Sequence, residues 1–476
     1  LAKLVWFRDD LRTLDNPALF HACEKDEGQV FAIYVISPTQ WLRHHWSPSR
    51  IGLIRRRIEA LTAELAALNI GLTVLMADTY SEIPELIASH CQANDIDHLF
   101  INKEVGFNEG KRDREVKAAL QLLGVATVAY DTRAILPPGS VLTGKGKPFS
   151  VFTPFKKAWL RLFSSAGVSC FPRPKARQCH TLSSSNNEAS SWPENINVNN
   201  SQTVTEEQIL GTLRQFVAEK VNDYHADRDV PAIAGTSALS PFLAIGAISA
   251  RQCIARLLYQ VSGDISALSE GENVWLSELV WRDFYRHLIE AYPRLSMHRS
   301  FKPAYDSLQW CNDAQLFQQW CDGLTGYPLV DAGMRQLKHT GWMHNRLRMV
   351  VASFLTKHLL IDWRWGERYF MQQLVDGDLA ANNGGWQWAA STGADSVPYF
   401  RIFNPLLQAK RFDPDGSFIR KWVPELKSLA VPEIFEPHKK GRNLLAGDYP
   451  MPVVIHAEAR QRALAFYKGI NDATLP

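Results

Sequence analysis

Residues 376–388 read DGDLAANNGGWQW, with two acids, paired asparagines, paired glycines and two tryptophans in thirteen positions. Ordinary packing rarely calls for that set. Asp376 and Asp378 are costly to bury without partners, since even a neutral amide left unpaired costs about 2–7 kcal/mol. Gly384-Gly385 removes side chains where a backbone or a planar ring must come close. Trp386 and Trp388 offer two large π-surfaces one residue apart. The combination points to a pocket for a flat, polar-edged, redox-active ring; the plainer reading is an aromatic connection between helices.

Two helical patterns add chemistry. In NVWLSELVWRDFYRHL (273–288), Leu276, Val280, Phe284 and His287/Leu288 share a core-facing stripe. Glu278, Trp281, Arg282 and Tyr285 share another. An acid, an indole and a guanidinium in one stripe form either a solvated face with a cation–π contact or a cleft wall with an acid, a stacking plane and a phosphate clamp. In GWMHNRLRMVVASF (341–354), Met343, Leu347, Val350 and Phe354 face a core, and Asn345 and Met349 lie one turn apart with Trp342 above them. A buried amide beside a soft thioether suits the edge of a heterocycle. Upstream, Tyr224 and Arg228 precede Thr236-Ser237-Ala238-Leu239-Ser240, whose hydroxyls and amides at a helix start suit a diphosphate.

Elements must position these groups. LVWF (4–7), VFAIYVI (30–36), LTVLM (72–76), HLFIN (98–102) and VATVAY (125–130) read as buried strands, with helix-period segments such as 48–68 and 80–93 between them. The alternation predicts a doubly wound parallel sheet with helices on both faces. The turn after the first strand, Arg8-Asp9-Asp10-Leu11-Arg12, lacks the glycine-rich dinucleotide fingerprint. Residues 171–204 are rich in Ser, Asn and Pro and read as a surface linker. From about 206 onward helical periodicity dominates. The expected fold class is therefore α/β plus all-α: an α/β domain over 1–131, an interdomain linker over 132–205 and a helical catalytic domain over 206–476. GSVLTGK (139–145) imitates a P-loop, but Gly146 follows where a metal-binding hydroxyl is needed.

Composition bounds the class. The 476 residues support two or three domains, and 46% hydrophobic with 21% charged residues suits a globular protein. No apolar run is long enough to span a bilayer, the start lacks a signal peptide, and seven cysteines without a C-x-x-C pair argue for reduced thiols in a cytoplasmic protein and against a structural zinc. Net charge is +3 but unevenly placed. Residues 1–131 hold 14 basic and 18 acidic side chains, and residues 132–205 hold 9 and 2. A polyanion is then met by the middle and later parts, or the basic stretch is a solvated linker.

FRDDLR, GTSALS, WLSELVWRDFYR, TGYPLVDAGMRQL, GWMHNRLRM and DGDLAANNGGWQWAAS, in this order, resemble the DNA photolyase/cryptochrome family over essentially the whole chain. Within it the chain is most similar to bacterial class I cyclobutane pyrimidine dimer photolyases. The resemblance implies one FAD, active in its reduced anionic form, in the helical domain. By motif match Tyr224, Thr236, Ser237, Ala238, Leu239, Ser240, Trp275, Arg282, Arg348, Asp376, Gly377, Asp378 and Asn382 would hold it. Asn382 would face flavin N5, and Asp376 would pair with Arg348.

The implied reaction is light-driven: the excited reduced flavin lends an electron to a pyrimidine dimer, the cyclobutane bonds break, and the electron returns. Glu278 would hydrogen-bond the dimer carbonyls. Trp281 and Trp388 would sandwich the lesion, Asn345 and Met349 would line its pocket, and Arg228, Arg282 and Gln408 would complete the contacts to UV-damaged DNA, duplex or single-stranded. Trp310, Trp363 and Trp386 match the family's electron relay. His44, Asn108 and Glu109 match contacts to an antenna folate, 5,10-methenyltetrahydrofolate, although Met297 replaces a lysine found in a folate-binding relative; a deazaflavin is the alternative. A monomer without membrane attachment is expected. The competing class is a cryptochrome-type blue-light receptor, whose plant-type members carry an acid at the position of Asn382 and many of which add a C-terminal tail. A (6-4) repair enzyme would show a histidine at the position of Asn345, and the DASH branch replaces the methionine at 349. A light-independent reductase needs a nicotinamide site, and no motif supplies one.

Overall fold

The computed structural model describes residues 2–24, 28–178, 192–193, 204–439 and 448–468. Two compact units emerge, neither continuous in sequence: residues 1–222, 237–296 and 375–380 form one, and residues 223–236, 297–374 and 381–476 form the other.

The first unit is built on five parallel strands, β1 (Ala2–Phe7), β2 (Gln29–Ile36), β3 (Leu72–Met76), β4 (Ile96–Asn102) and β5 (Ala126–Tyr130), in the order β3-β2-β1-β4-β5. Strand order reverses at β1, so right-handed crossovers send successive helices to opposite faces. Leu4 and Trp6 of β1 pack with Ile83, Ile87 and Cys91 of helix Ile83–Ala93 and with Val116 and Leu120 of helix Phe107–Leu122. The doubly wound sheet expected from the alternating apolar runs is present. Its first turn is filled by protein: Asp10 Oδ1 accepts from Arg8 N (2.7 Å), Asp10 Oδ2 accepts from Asn102 Nδ2 (2.7 Å), and the Arg8 guanidinium lies 4.3 Å from the Trp6 ring.

Within 132–205 the chain forms a 15-residue helix, Phe152–Ala166, whose Phe152, Phe155, Trp159 and Phe163 make a buried stripe. It packs along the 22-residue helix Glu270–Ala291. That longer helix starts on a capping box, in which Ser269 Oγ accepts from Glu272 N and the Glu272 carboxylate accepts from Ser269 N. Asp283 fastens the two together. Fully buried, it accepts from Ile135 N (3.0 Å), Leu136 N (3.2 Å) and Trp159 Nε1 (3.0 Å).

The second unit is helical, and among the described residues no strand follows Tyr130. Its core gathers Trp320, Leu329, Met334, Leu337, Met343, Leu347, Val350, Phe354, Trp363, Phe370 and Trp386. Met343, Leu347, Val350 and Phe354 are buried as their spacing predicts. The expected 341–354 helix begins later, at Asn345–Ser353. Gly341 ends the preceding helix Pro328–Thr340 in a left-handed conformation, and the His344 side chain caps the new one, its Nδ1 accepting from Arg346 N at 3.2 Å. Trp342 therefore sits in the connection, not one turn above Asn345. Among the described residues no helix is long and apolar enough to cross a membrane.

Candidate functional site

In the first unit the long helix presents the mixed stripe that its sequence predicts. Leu276, Val280, Phe284, His287 and Leu288 are buried, while Glu278, Trp281, Arg282 and Tyr285 are partly exposed. Trp281 is stacked face to face on Phe152, with ring centroids 3.7 Å apart and planes 7° apart. Lys156, one turn after Phe152, donates from Nζ to Ser277 Oγ (2.6 Å). Trp275 is buried against Phe216.

Segment 375–380 belongs to the same unit. Arg286 Nη2 lies 2.6 Å from Asp378 Oδ2, and Arg50 donates to the Gly377 carbonyl while its Nη2 pairs with Asp9 (3.0 Å). Burial pushes the Asp9 carboxyl up to about 6, against the pull of Arg50. Arg282 donates to the Leu243 carbonyl (3.2 Å). Burial, then the neighbouring Arg286 charge, bring its guanidinium down to about 10. Two guanidiniums thus share a neighbourhood in which Asp378 binds Arg286. That donor set fits an anionic group, as a diphosphate would be. Leu239 is fully buried, Ala238 takes a positive φ of 53°, and Ser240 opens the short helix Ser240–Ala244.

In the second unit Tyr224 is buried, with the Arg228 guanidinium 5.6 Å from its ring. Asp229 binds Arg346 (2.7 Å), tying this segment to helix Asn345–Ser353. Arg348 Nε donates to the Met343 carbonyl (2.8 Å). Asn345 is exposed and Met349 partly so, a correction to the buried amide expected from the sequence: the stripe opposite Leu347 and Val350 faces outward. Asn382 donates from Nδ2 to the Glu367 carbonyl (2.9 Å). The buried Glu367 carboxylate accepts from Asn383 Nδ2 (2.8 Å) and pairs with His298 Nδ1 (2.9 Å), a bond that raises the His298 imidazole above its usual range. A Cβ built at Gly385 meets no protein atom within 4 Å, so close approach of a protein backbone does not account for this glycine.

Trp386 and Trp363 are buried in one core with Trp310 packed against it. Trp386 meets Phe370 edge-on (4.9 Å) and Trp320 edge-on (6.0 Å), and lies so close to Gly366 that a Cβ there would come 2.1 Å from its ring. That glycine has a physical reason. Trp388 neighbours Phe403 (6.5 Å), and Gln408 is half-buried on helix Pro405–Phe412.

The structure brings His44, Asn108 and Glu109 together in the first unit. Asn108 Nδ2 lies 3.1 Å from His44 Nε2, and His44 Nδ1 lies 3.5 Å from Glu109 Oε1. Burial and the Glu104 charge push the Glu109 carboxyl up to about 7, while burial and Arg112 push the His44 imidazole down to about 4. Among the described residues no cluster of three metal-ligating side chains occurs. Reading the sequence missed Phe152, Asp283 and Arg286. An acid on the otherwise apolar 276–280–284–287 stripe was the available signal for Asp283.

Two family profiles match, "DNA photolyase" over residues 3–175 and "FAD binding domain of DNA photolyase" over residues 275–469. The chain is 47% identical to the deoxyribodipyrimidine photo-lyase of Vibrio cholerae over 98% of its own length and 99% of the relative's. It is 46% identical to that of Escherichia coli, over 98% of each. A bacterial class III photolyase from Agrobacterium tumefaciens superposes with a TM-score of 0.87 at 33% identity, covering 98% of this chain and 97% of the other. On its sheet, its helices and this full-length similarity, the chain belongs to the DNA photolyase family.

Proposed function

We propose that this protein is a deoxyribodipyrimidine photo-lyase, which uses light to split cyclobutane pyrimidine dimers in DNA. The observation that carries this reading is the 46–47% identity to proteins of that name over nearly the whole of both chains. FAD is its cofactor, in keeping with the matched FAD-binding domain. Arg282, whose guanidinium donates to the Leu243 carbonyl, suits the diphosphate, and Tyr224, Thr236, Ser237, Ala238, Leu239, Ser240, Trp275, Arg348, Asp376, Gly377, Asp378 and Asn382 complete the set. Bound and reduced, FAD supplies on excitation the electron that opens the dimer and that returns once both carbon–carbon bonds have broken, leaving no net redox change.

The chain's own residues bind, orient and stabilise. Trp281 and Trp388 offer flat faces to the extruded pyrimidines, with stacking worth about 1–3 kcal/mol per base. Glu278 hydrogen-bonds a dimer carbonyl, where negative charge develops. Asn345 and Met349 line the lesion, and Arg228 and Gln408 hold the strand. Asn382, its Nδ2 donated to the Glu367 carbonyl, offers Oδ1 as an acceptor for an N–H. Trp386, Trp363 and Trp310 would relay electrons from an external reductant to an oxidised cofactor and return it to the reduced form. His44, Asn108 and Glu109 hold an antenna, which we assign as 5,10-methenyltetrahydrofolate because its cationic bridge suits a carboxylate that ionises near neutrality.

The test is repair of a defined thymine dimer by purified, reduced protein under near-UV or blue light, preceded by an absorption spectrum and acid release of the chromophores. Protein that binds FAD and repairs no dimer, in duplex or single strand, would be a receptor instead. Release of a deazaflavin would replace the folate assignment.

A further inference from the structure

The reading above gives Trp281 the task of stacking on a pyrimidine dimer, and a partly exposed indole on a helix surface has no intrinsic reason to hold one orientation. Its side chain has two rotatable bonds, and without support it would swing or fold back on the helix. Phe152 supplies the support. The two rings lie parallel, 7° from coplanar, with centroids 3.7 Å apart. Phe284 meets the same indole edge-on at 5.6 Å and Tyr285 lies tilted at 5.5 Å. Among the described residues no second ring lies parallel to Trp281, and the indole, with one face covered by Phe152, stays partly exposed.

Phe152 is itself held firmly. It opens helix Phe152–Ala166 and is 8% exposed. Behind it, Phe155 packs on Phe284 (5.1 Å) and His287 (5.2 Å), Lys156 donates to Ser277, and Trp159 donates to the buried Asp283. Side chains at i, i+3, i+4 and i+7 of one helix thus lock onto one face of the other. The fastening runs along the segment of helix Glu270–Ala291 that carries Glu278 and Trp281.

We propose that Phe152 is a positioning residue for lesion recognition: it backs one face of Trp281 and fixes the indole plane, so that the dimer meets a stacking surface already in place. This rests on the assignment of Trp281 to the lesion. Pre-ordering spares the complex the entropy of immobilising the ring when DNA binds. The effect belongs to dimer affinity and not to bond breaking, because Phe152 reaches the lesion only through Trp281.

The experiment compares the FAD-loaded wild type with Phe152→Leu, Phe152→Tyr, Trp281→Ala and the Phe152→Leu/Trp281→Ala double variant. Affinity for dimer-containing and undamaged DNA is measured at fixed salt, beside the quantum yield of the saturated complex. Phe152→Leu stays apolar but loses three side-chain carbons and the flat face, so it should weaken dimer binding about 2- to 10-fold, with undamaged-DNA affinity and saturated quantum yield unchanged. Phe152→Tyr keeps the face and should restore binding. In the Trp281→Ala background, Phe152→Leu should cost nothing further. Wild-type dimer affinity in Phe152→Leu, or a full additional loss in the double variant, overturns the proposal. Normal dimer affinity in Trp281→Ala itself would instead overturn the assignment of Trp281, a separate result. Should Phe152→Leu lose FAD, Phe152→Met carries the same comparison with a more adaptable side chain.

Discussion

The indole N–H of Trp159 donates to Asp283 Oδ2 at 3.0 Å, 124 residues away in sequence, and the same carboxylate takes the backbone amides of Ile135 and Leu136. Burial raises the Asp283 carboxyl above its ordinary range even though these bonds pull the other way. Asp283→Ala strands three buried donors, each costing about 1–3 kcal/mol when unsatisfied. The expected result is a large fall in stability in denaturant unfolding, with Asp283→Asn milder because it keeps one acceptor oxygen. Equal stability of the Ala variant and wild type would remove Asp283 from this role.

The Arg286–Asp378 pair is largely withdrawn from water on both sides. Arg286→Ala removes one charge-assisted bond from Asp378, worth about 1.5–3 kcal/mol, and takes a positive charge from beside Arg282. Purified variant protein should therefore carry less FAD per chain, with Arg286→Lys intermediate. Full FAD occupancy in Arg286→Ala would show that the pair does not shape the cofactor's surroundings.

Glu278→Ala should lower the quantum yield of dimer repair while changing damaged-DNA affinity less, because the carboxyl acts where charge appears. Losses at oxyanion-type sites, about 2.7–4 kcal/mol, set the upper bound. Trp281→Ala should do the reverse, weakening lesion binding by about 1–3 kcal/mol. Parallel measurement of binding and yield separates the two; identical profiles for both variants would refute the division of labour.

Trp386→Phe should slow light-driven reduction of oxidised FAD and spare repair by chemically pre-reduced protein. Transient absorption of the oxidised holoprotein checks this. Undiminished photoreduction would take Trp386 out of the relay.

Glu109 gives a pH signature. Its folded carboxyl titrates at about 7 against an ordinary 4.5, so the neutral form is favoured in the native state. The stability this confers is complete below about pH 4.5 and is lost as pH rises through about 7, a change on the order of 3 kcal/mol. Glu109→Gln cannot ionise, so it should lose less stability than wild type between pH 5 and pH 8 in thermal or urea unfolding. The same dependence in both proteins would mean that another group titrates.

Strands were legible because both faces of a doubly wound sheet are covered, which leaves uninterrupted runs such as VFAIYVI. The two stripes of helix Glu270–Ala291 were legible because 3.6-residue periodicity survives burial. Less was visible where a single residue redirects the chain. Gly341 and His344 shorten the expected 341–354 helix, and neither interrupts its apolar pattern. Helix Phe152–Ala166 carries a clear stripe, yet it lies in a stretch whose basic and polar composition reads as linker. The Phe152–Trp281 stack joins residues 129 positions apart, and no local pattern encodes such a pairing.

Asp283 also sets a timetable for synthesis. The amides of Ile135 and Leu136 leave the ribosome 148 and 147 residues before the carboxylate that accepts them. At roughly 5–20 residues per second, that is an interval of about 7–30 s. Through it the nascent sheet has all five strands but no acceptor other than water for these donors, and the apolar stripe of Phe152, Phe155, Trp159 and Phe163 has no helix Glu270–Ala291 to cover it. Vectorial growth therefore leaves a newly made chain with an uncovered apolar face until helix Glu270–Ala291 is complete.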